Sequence, residues 1–254
     1  MRISIITVTY NSAKFINDCL KSVKTQNYDN IEHIVIDGNS ADETLPLLNS
    51  KRDQIKELIS EPDKGVYDAM NKGIKIATGE VIGFLNSDDF YANNRIISKV
   101  ASVFNNNSSI DACYADLVYT QQMDTSKVVR YWKSKKFIAG SFSKGWRPPH
   151  PTFFARSSVY KRFGQFNLDY SISADYELMM RFLEIYKINV RYIPELWVKM
   201  RVGGLSNKSH KNILKQNQED LNALKKHNLY KNIYIFFTFK IFSRLKQFFS
   251  RPSN

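Results

Sequence analysis

Cysteine is scarce in this chain, with only Cys19 and Cys113 among 254 residues. So few exclude a disulfide scaffold. Cys19 falls on the apolar side of a predicted helix and Cys113 in a predicted strand, so both read as reduced core residues. No Cys/His set has zinc spacing, and there is no Gly-x-Ser-x-Gly elbow. No Gly-x-Gly-x-x-Gly follows the first predicted strand, and no Gly-x-x-x-x-Gly-Lys-Ser/Thr loop occurs. Dinucleotide dehydrogenase and P-loop readings thereby lose their usual support. No apolar run approaches the roughly 18–20 residues that span a bilayer. Met1-Arg2 leads directly into the short run Ile3–Val8, which lacks the length and cleavage site of a signal peptide. The expected location is the cytosol or the cytosolic face of the inner membrane. Internal repeats and low-complexity linkers are also missing.

What is present is a core. Hydrophobic residues make up 43% of the chain, enough for one large α/β domain with a C-terminal appendage. The net charge of +13 is unevenly placed. Residues 201–254 hold 11 Lys/Arg against Glu219 and Asp220 alone, so most of the charge belongs to the tail. A basic tail points to an anionic partner.

Ile3–Val8 reads as a buried strand, and Thr9–Ser12 as a turn with Asn11 or Ser12 capping a helix. Phe15, Ile16, Cys19, Leu20 and Val23 recur at helical spacing in that helix. Ile31–Ile36 is a second strand, and Ser40-Ala41-Asp42-Glu43 has the form of a capping box. A short strand near Ile55–Ser60, a helix from Val66 to Ala77 and a strand ending at Asn86 complete an alternation that implies a parallel sheet. Further on, Ile110–Tyr119 and Lys127–Trp132 suit an antiparallel pair. Lys133–Arg147 reads as a loop near the site and Thr152–Ala155 as a strand. Asp175–Tyr186 reads as a helix and Asn189–Val198 as a strand.

The most informative stretch is Val81–Asp89, an apolar run ending in two adjacent carboxylates. Ligands bind beyond the carboxyl ends of strands in open α/β sheets. Paired acids there repel unless a cation or donor-rich ligand intervenes, and oxygen ligands suit Mg²⁺ or Mn²⁺ carrying a phosphate. A helix cap is the plainer alternative. Asp37, at a strand tip before Gly38, can accept from a nucleobase or a ribose hydroxyl, or be an ordinary turn residue. Asp63 precedes a helix and suits a solvated turn. Asp175 is either a first-turn acid favoured by the helix dipole or a base that removes a hydroxyl proton. His150 lies between prolines and can bond a ligand or serve structure. His210, just after Gly203-Gly204-Leu205-Ser206, is a weak candidate metal ligand.

These residues resemble the family 2 glycosyltransferases of the GT-A fold. The matching pieces are Ile5–Asn11, Ile36–Ser40, Glu61–Gly73 and Leu85–Asp89, with Pro149–Phe154 and Ser173–Glu177 extending the likeness to about residue 206. The resemblance implies an α/β GT-A domain over 1–206. Residues 1–90 would form its nucleotide-sugar-binding half, 91–206 its acceptor-binding half, and 207–254 a helical extension. It implies that Thr9, Asp37 and Asp63 line the nucleoside pocket. Asn86-Ser87-Asp88 stands where the family carries Asp-x-Asp, with Asp88 as metal ligand and Asp89 facing donor sugar or metal. Asp175 takes the place of the catalytic base, with Ala174 where an acidic partner is common. His150 would meet the acceptor.

The expected protein is thus an inverting, Mn²⁺- or Mg²⁺-dependent transferase. Its donor would be a nucleotide sugar, UDP-linked first of all. Its acceptor would be a lipid-linked saccharide in O-antigen or capsule assembly. A nucleotidyltransferase and a non-catalytic transferase-like binding protein are the rivals. In the tail, Tyr234, Phe237, Ile241, Leu245 and Phe248 share a helical stripe, opposite Lys240, Ser243, Arg244 and Gln247. Such a helix suits an anionic membrane surface. No recognised nucleic-acid motif accompanies the charge. The catalytic motifs all precede the tail, so deleting 230–254 is expected to spare activity on a soluble acceptor.

Overall fold

The computed structural model describes residues 1–203 and 210–250, except the side chain of His210. Its first half alternates β1 (Ile3–Thr9), α1 (Ile16–Lys24), β2 (Ile31–Asp37), α2 (Thr44–Ser50), β3 (Glu57–Ser60), α3 (Val66–Ile76) and β4 (Val81–Phe84). The strands pair in parallel in the order β3-β2-β1-β4, with Ile6 opposite both Ile34 and Phe84. Every residue of β1 is buried, as a parallel strand covered on both faces requires. Alternate side chains serve two cores. Ile6 and Val8 join Tyr67, Met70 and Ile74 of α3. Ile3 and Ile5 join Ile16, Cys19 and Leu20 of α1 on the other face.

The second half contains β5 (Phe90–Tyr91), α4 (Ile96–Asn106), β6 (Ala112–Thr120), β7 (Val128–Trp132), β8 (Phe154–Arg156) and α5 (Ser157–Phe163). It continues with α6 (Ala174–Met180), β9 (Val190–Arg201), α7 (His210–Lys226) and α8 (Ile233–Phe249). α6 runs on as a π-helical turn over Arg181–Ile185. The sheet extends through antiparallel β8 and then β6, β9 and β5, giving nine strands among the described residues. β6 and β7 form the antiparallel pair expected, with Leu117 opposite Trp132. Gly83 is what lets β8 close on β4. A Cβ there would stand 2.2 Å from Phe154 Cε1.

Two helix starts differ from their sequence signals. Neither Asn11 nor Ser12 caps α1, because both side chains are taken up elsewhere. Asn11 Oδ1 accepts from the Ala41 amide, and Ser12 Oγ bonds Ser87 Oγ. The Ser40–Glu43 capping box does not form either, since Ser40 Oγ donates to Asp37 and α2 begins at Thr44.

The two C-terminal helices are docked on the domain. Glu219 of α7 accepts from the amides of Ser171, Ile172 and Ser173 at 2.9–3.1 Å. Ala223, Leu224 and Phe236 belong to the main core. Gly145 makes the seat for α8. Its φ is +70°, and a Cβ on it would lie 2.9 Å from Lys240 Cβ and 3.1 Å from the Phe236 carbonyl oxygen. No helix among the described residues is long and apolar enough to cross a membrane.

Candidate active site

A cavity of about 710 Å³ opens beyond the carboxyl ends of β1 and β4. Thr9, Asp63, Asn86 and Asp88 enter its lining from the parallel half, and His150 and Asp175 from the other half. Apart from His210, whose side chain lies outside the described residues, six of the eight residues singled out in the sequence therefore meet in one space. The fold explains the meeting. Thr9 ends β1, and Asn86 and Asp88 follow β4 in a turn closed by the Asp89 amide on the Asn86 carbonyl at 3.0 Å. Asp63 sits in the β3–α3 loop, its Oδ1 accepting from the Gly65 amide at 2.7 Å.

Asp37 and Asp89 are the two that do not reach the cavity. Asp37 is fully buried, and its carboxylate accepts from the Ser40 amide, the Ser40 hydroxyl and the Ser60 hydroxyl. It braces the Ser40 turn against β3 and is not among the residues that line the cavity. Asp89 is fully buried too. It accepts from Asn86 Nδ2 at 3.2 Å and from the Arg201 amide at 3.3 Å. Burial, reinforced by the neighbouring Asp88 charge, pushes its carboxyl well above the usual range. Asp89 thus faces inward, where β9 supplies it with a partner, and is not among the residues that line the cavity.

Arg201, the last residue of β9, organises the acidic turn and carries no signal in the sequence. Its Nη1 donates to the Asp88 carbonyl oxygen at 2.7 Å, its Nη2 pairs with Asp18, and its guanidinium lies between the rings of Phe15 and Phe90. The Asp88 carboxyl is left at the cavity wall. Burial raises it, while its own amide and Arg201 oppose the shift.

Asp175 lies in the first turn of α6. Tyr67, on α3, brings its hydroxyl within 3.1 Å of Asp175 Oδ1. Burial pushes the Tyr67 hydroxyl well above its ordinary value, and Asp175 adds to the shift, so this group stays a donor. His150 packs its ring on Phe84 at 5.5 Å between centroids. Burial lowers its pKa, against the pull of Asp175, leaving a neutral ring. Among the described residues, His150 Nε2 and Thr9 Oγ1 are buried without a hydrogen-bond partner. Orphaned polar atoms in a cavity wall are costly and mark places where a ligand bonds.

The far wall is basic. Arg130 of β7, Arg147 of the 133–147 loop, and Lys240 and Arg244 of α8 line it. The loop position was legible as site-adjacent. The inward direction of α8 was not. Its polar face, Lys240, Ser243, Arg244 and Gln247, closes the cavity, while much of the aromatic face points out. Activity of a chain cut before α8 is therefore not expected to survive intact, contrary to the motif-based expectation.

Among the described residues no group of three or more His, Cys, Asp or Glu could hold a metal ion. The fit is to a different kind of site. Mg²⁺ and its analogues are commonly held by one or two carboxylates plus substrate phosphates. The cavity-facing Asp88 carboxyl, with Asn86 beside it, meets that description. The side chain of His210 lies outside the described residues.

The family model described as Glycosyl transferase family 2 matches residues 4–164. The chain belongs to that family. An uncharacterized glycosyltransferase of Mycobacterium tuberculosis is 31% identical over 181 residues, covering 70% of this chain and 68% of that protein. A PGL/p-HBAD biosynthesis glycosyltransferase of Mycobacterium bovis is 29% identical over 208 residues, covering 80% and 78%. Among solved structures, S. aureus TarS 1-349 in complex with UDP-GlcNAc gives a TM-score of 0.67 at 18% identity, covering 88% of this chain and 66% of that one. The mannosyltransferase PcManGT from Pyrobaculum calidifontis, in complex with GDP-Man and Mn2+, gives 0.67 at 17% identity, covering 96% and 68%. This family 2 chain spans 40% of the longer TarS chain. The shared architecture is the GT-A fold.

Proposed function

We propose that this family 2 member is an inverting, divalent-metal-dependent glycosyltransferase. It takes a sugar from a nucleotide donor, UDP-linked first of all, and passes it to a hydroxyl of a lipid-linked saccharide. The pathway is assembly of a surface polysaccharide, such as O-antigen or capsule, at the cytosolic face of the membrane. One observation carries this reading: Asp88 and Asp175, 87 positions apart, line the same cavity from opposite halves of the fold. Support for the donor class comes from the neighbours bound to UDP-GlcNAc and GDP-Man.

Each residue then has a physical task. The Thr9 hydroxyl and Asp63 would hold the nucleoside, while Asp37 braces the Ser40 turn against β3. Asp88, helped by Asn86, would hold Mn²⁺ or Mg²⁺, which when bound offsets charge on the departing diphosphate. Asp175 would take the proton of the acceptor hydroxyl as that oxygen attacks the anomeric carbon from the face opposite the leaving group, so configuration inverts in one displacement. Neutral His150, whose Nε2 has no partner among the described residues, would bond an acceptor hydroxyl. No covalent nucleophile is required.

The test is a panel of UDP- and GDP-sugars incubated with Mn²⁺ or with chelator, with product configuration read by proton NMR. Nucleoside diphosphate release that needs the metal, with an inverted anomer, is expected. Pyrophosphate release would instead identify a nucleotidyltransferase, and no turnover of any donor would leave a binding protein.

A further inference from the structure

Two stretches of the chain carry basic residues and no acid. Residues 125–168 hold ten Lys/Arg and no Asp/Glu, and residues 221–254 hold seven and none. The fold brings these stretches together, because α8 packs on β7 and on the turn at Phe142–Lys144. Their inner sides line the cavity through Gly145, Trp146 and Arg147 of the loop and Lys240 of α8. Their outer sides differ in character. Lys133, Lys135, Lys136 and Lys144 of the loop are exposed. Ile138, among these lysines, is 65% exposed, although Phe137 beside it packs on Phe142 and Trp146. The turn that displays Ile138 is fixed. The Ile138 carbonyl oxygen accepts from the Ser141 amide at 3.0 Å, and the Glu184 carboxylate accepts from the Gly140 amide at 2.8 Å and the Phe142 amide at 3.3 Å. Lys144 then carries the loop onto α8, its Nζ lying 5.7 Å from the centroid of the Phe239 ring. Ile235, Phe239, Phe242 and Lys246 follow one another at helical spacing on the exposed side of α8.

We infer that the 133–147 loop and the outer side of α8 form one docking surface for an anionic lipid bilayer, with the loop a contact in its own right. The charge is complementary. Exposed lysines within a Debye length of such a bilayer are drawn by its negative surface potential. The apolar part fits as well. A single exposed isoleucine is ordinary, but one held by a fixed turn among lysines, on a loop that meets an aromatic helix side, has the composition of an interfacial insertion site. A nucleic acid would use the lysines and leave Ile138 in water. The inference deepens the transferase reading and rests on it for the acceptor. Tyr176, the residue after Asp175, donates its hydroxyl to the Phe142 carbonyl oxygen at 2.8 Å, so the loop is tied to the helix of the proposed base. The elements that meet the bilayer are those whose inner sides wall the cavity. A lipid-borne acceptor sugar is thereby brought to the cavity while its lipid stays in the membrane.

The test is co-sedimentation of the full chain with phosphatidylcholine vesicles, with and without phosphatidylglycerol, using variants that leave α8 untouched. One variant combines Lys135→Gln, Lys136→Gln and Lys144→Gln. A second combines Lys135→Arg, Lys136→Arg and Lys144→Arg. A third is Ile138→Ser. Burial raises the Asp116 carboxyl and Lys133 opposes it, so Lys133 is left in place. None of the substituted residues lines the cavity. The native chain is expected to bind the anionic vesicles, the triple Gln variant to bind about 100-fold more weakly, and the triple Arg variant to stay near native. Ile138→Ser should lose about tenfold. Calorimetric affinity for UDP with Mn²⁺ and the circular dichroism spectrum should hold in all three. Native sedimentation of either the triple Gln variant or Ile138→Ser would overturn the inference, leaving attachment to α8. Failure of the native chain to sediment, or equal sedimentation with and without phosphatidylglycerol, would overturn it as well. A single-stranded RNA that binds the native chain more tightly than the vesicles do, and binds Ile138→Ser equally, would assign the surface to nucleic acid instead. No donor or acceptor enters the sedimentation. Absence of turnover with every donor would therefore fail the transferase reading while the vesicles still decide the docking surface.

Discussion

Tyr67 offers one hydroxyl proton to two acceptors: the Ile172 carbonyl oxygen at 2.7 Å and Asp175 Oδ1 at 3.1 Å. Residues more than a hundred positions apart are thereby joined across the cavity floor. Tyr67 also stacks on Phe166 at 5.4 Å, so its ring is fixed before its hydroxyl acts. It is a positioning residue for the proposed base. Tyr67→Phe keeps the ring and removes the proton. The expected result is a kcat about tenfold lower with donor affinity and acceptor KM nearly unchanged, since a mispositioned base costs rate more than binding. A fall in KM-dependent terms alone would place Tyr67 in substrate binding instead.

Asp175→Asn tests the base itself. The amide keeps the size and can still bond Tyr67, but it cannot take a proton. Turnover should fall by roughly 10²–10⁴-fold, the usual worth of a general base. Calorimetric binding of the donor should survive. Collapse of donor binding with an unchanged rate on the remaining complex would make Asp175 a donor contact.

Asp88→Ala addresses the metal without relying on turnover. Arg201 holds the Asp88 main chain, so the turn keeps its anchor when the side chain is cut. UDP binding by calorimetry should strengthen with Mn²⁺ in the native chain and lose that dependence in the variant, with the melting temperature little changed. Wild-type Mn²⁺ dependence in Asp88→Ala would remove this carboxylate from the metal site.

His33 gives a pH signature of the fold. It is buried in β2 with its Nε2 3.0 Å from Thr7 Oγ1, and burial lowers its pKa from 6.5 to about 4. Between those values the unfolded chain binds more protons than the folded one, so stability falls as pH falls. The contribution is complete above about pH 6.5, and about 3 kcal/mol is lost on reaching pH 4. His33→Gln, which keeps a donor near Thr7, should flatten that part of the curve. Urea unfolding of both proteins at steps from pH 7 to pH 4.5 measures the difference. Parallel curves would show that His33 does not titrate on unfolding.

The sequence made the parallel half legible because β1, β2 and β4 are buried on both faces, and that burial writes itself as unbroken apolar runs. Asp88 and Asp175 stood out in the sequence through local pattern and family likeness, and both line the cavity. The inward turn of Asp37 and Asp89 was not. Each depends on a partner distant in sequence, Ser60 for one and Arg201 for the other. The basic wall was hidden for the same reason. Lys240, Ser243, Arg244 and Gln247 showed as one polar face, but periodicity does not say which face turns inward. Gly145 decides it, by letting α8 approach the 133–147 loop with its polar side down.

The last prediction follows from that inverted helix. Tyr234 is 79% exposed, Phe242 72% and Phe249 87%, beside Ile241 and Leu245. Phe237 of the original stripe packs partly against the core, so the outward surface is centred on Phe242 instead. Apolar surface of this kind, flanked by Lys231 and Lys246, suits an interfacial helix on anionic lipid. Deleting 230–254 is a poor test, since it also removes Phe236 from the core and the cations from the cavity. Phe242→Ser with Phe249→Ser alters the outer face alone. Co-sedimentation with vesicles containing phosphatidylglycerol should fall about tenfold in the double variant, while UDP binding stays native. High salt should weaken attachment of the native chain without abolishing it, because screening removes the charge attraction and leaves the apolar one. Equal sedimentation of the native and variant chains would show that this face does not meet the membrane.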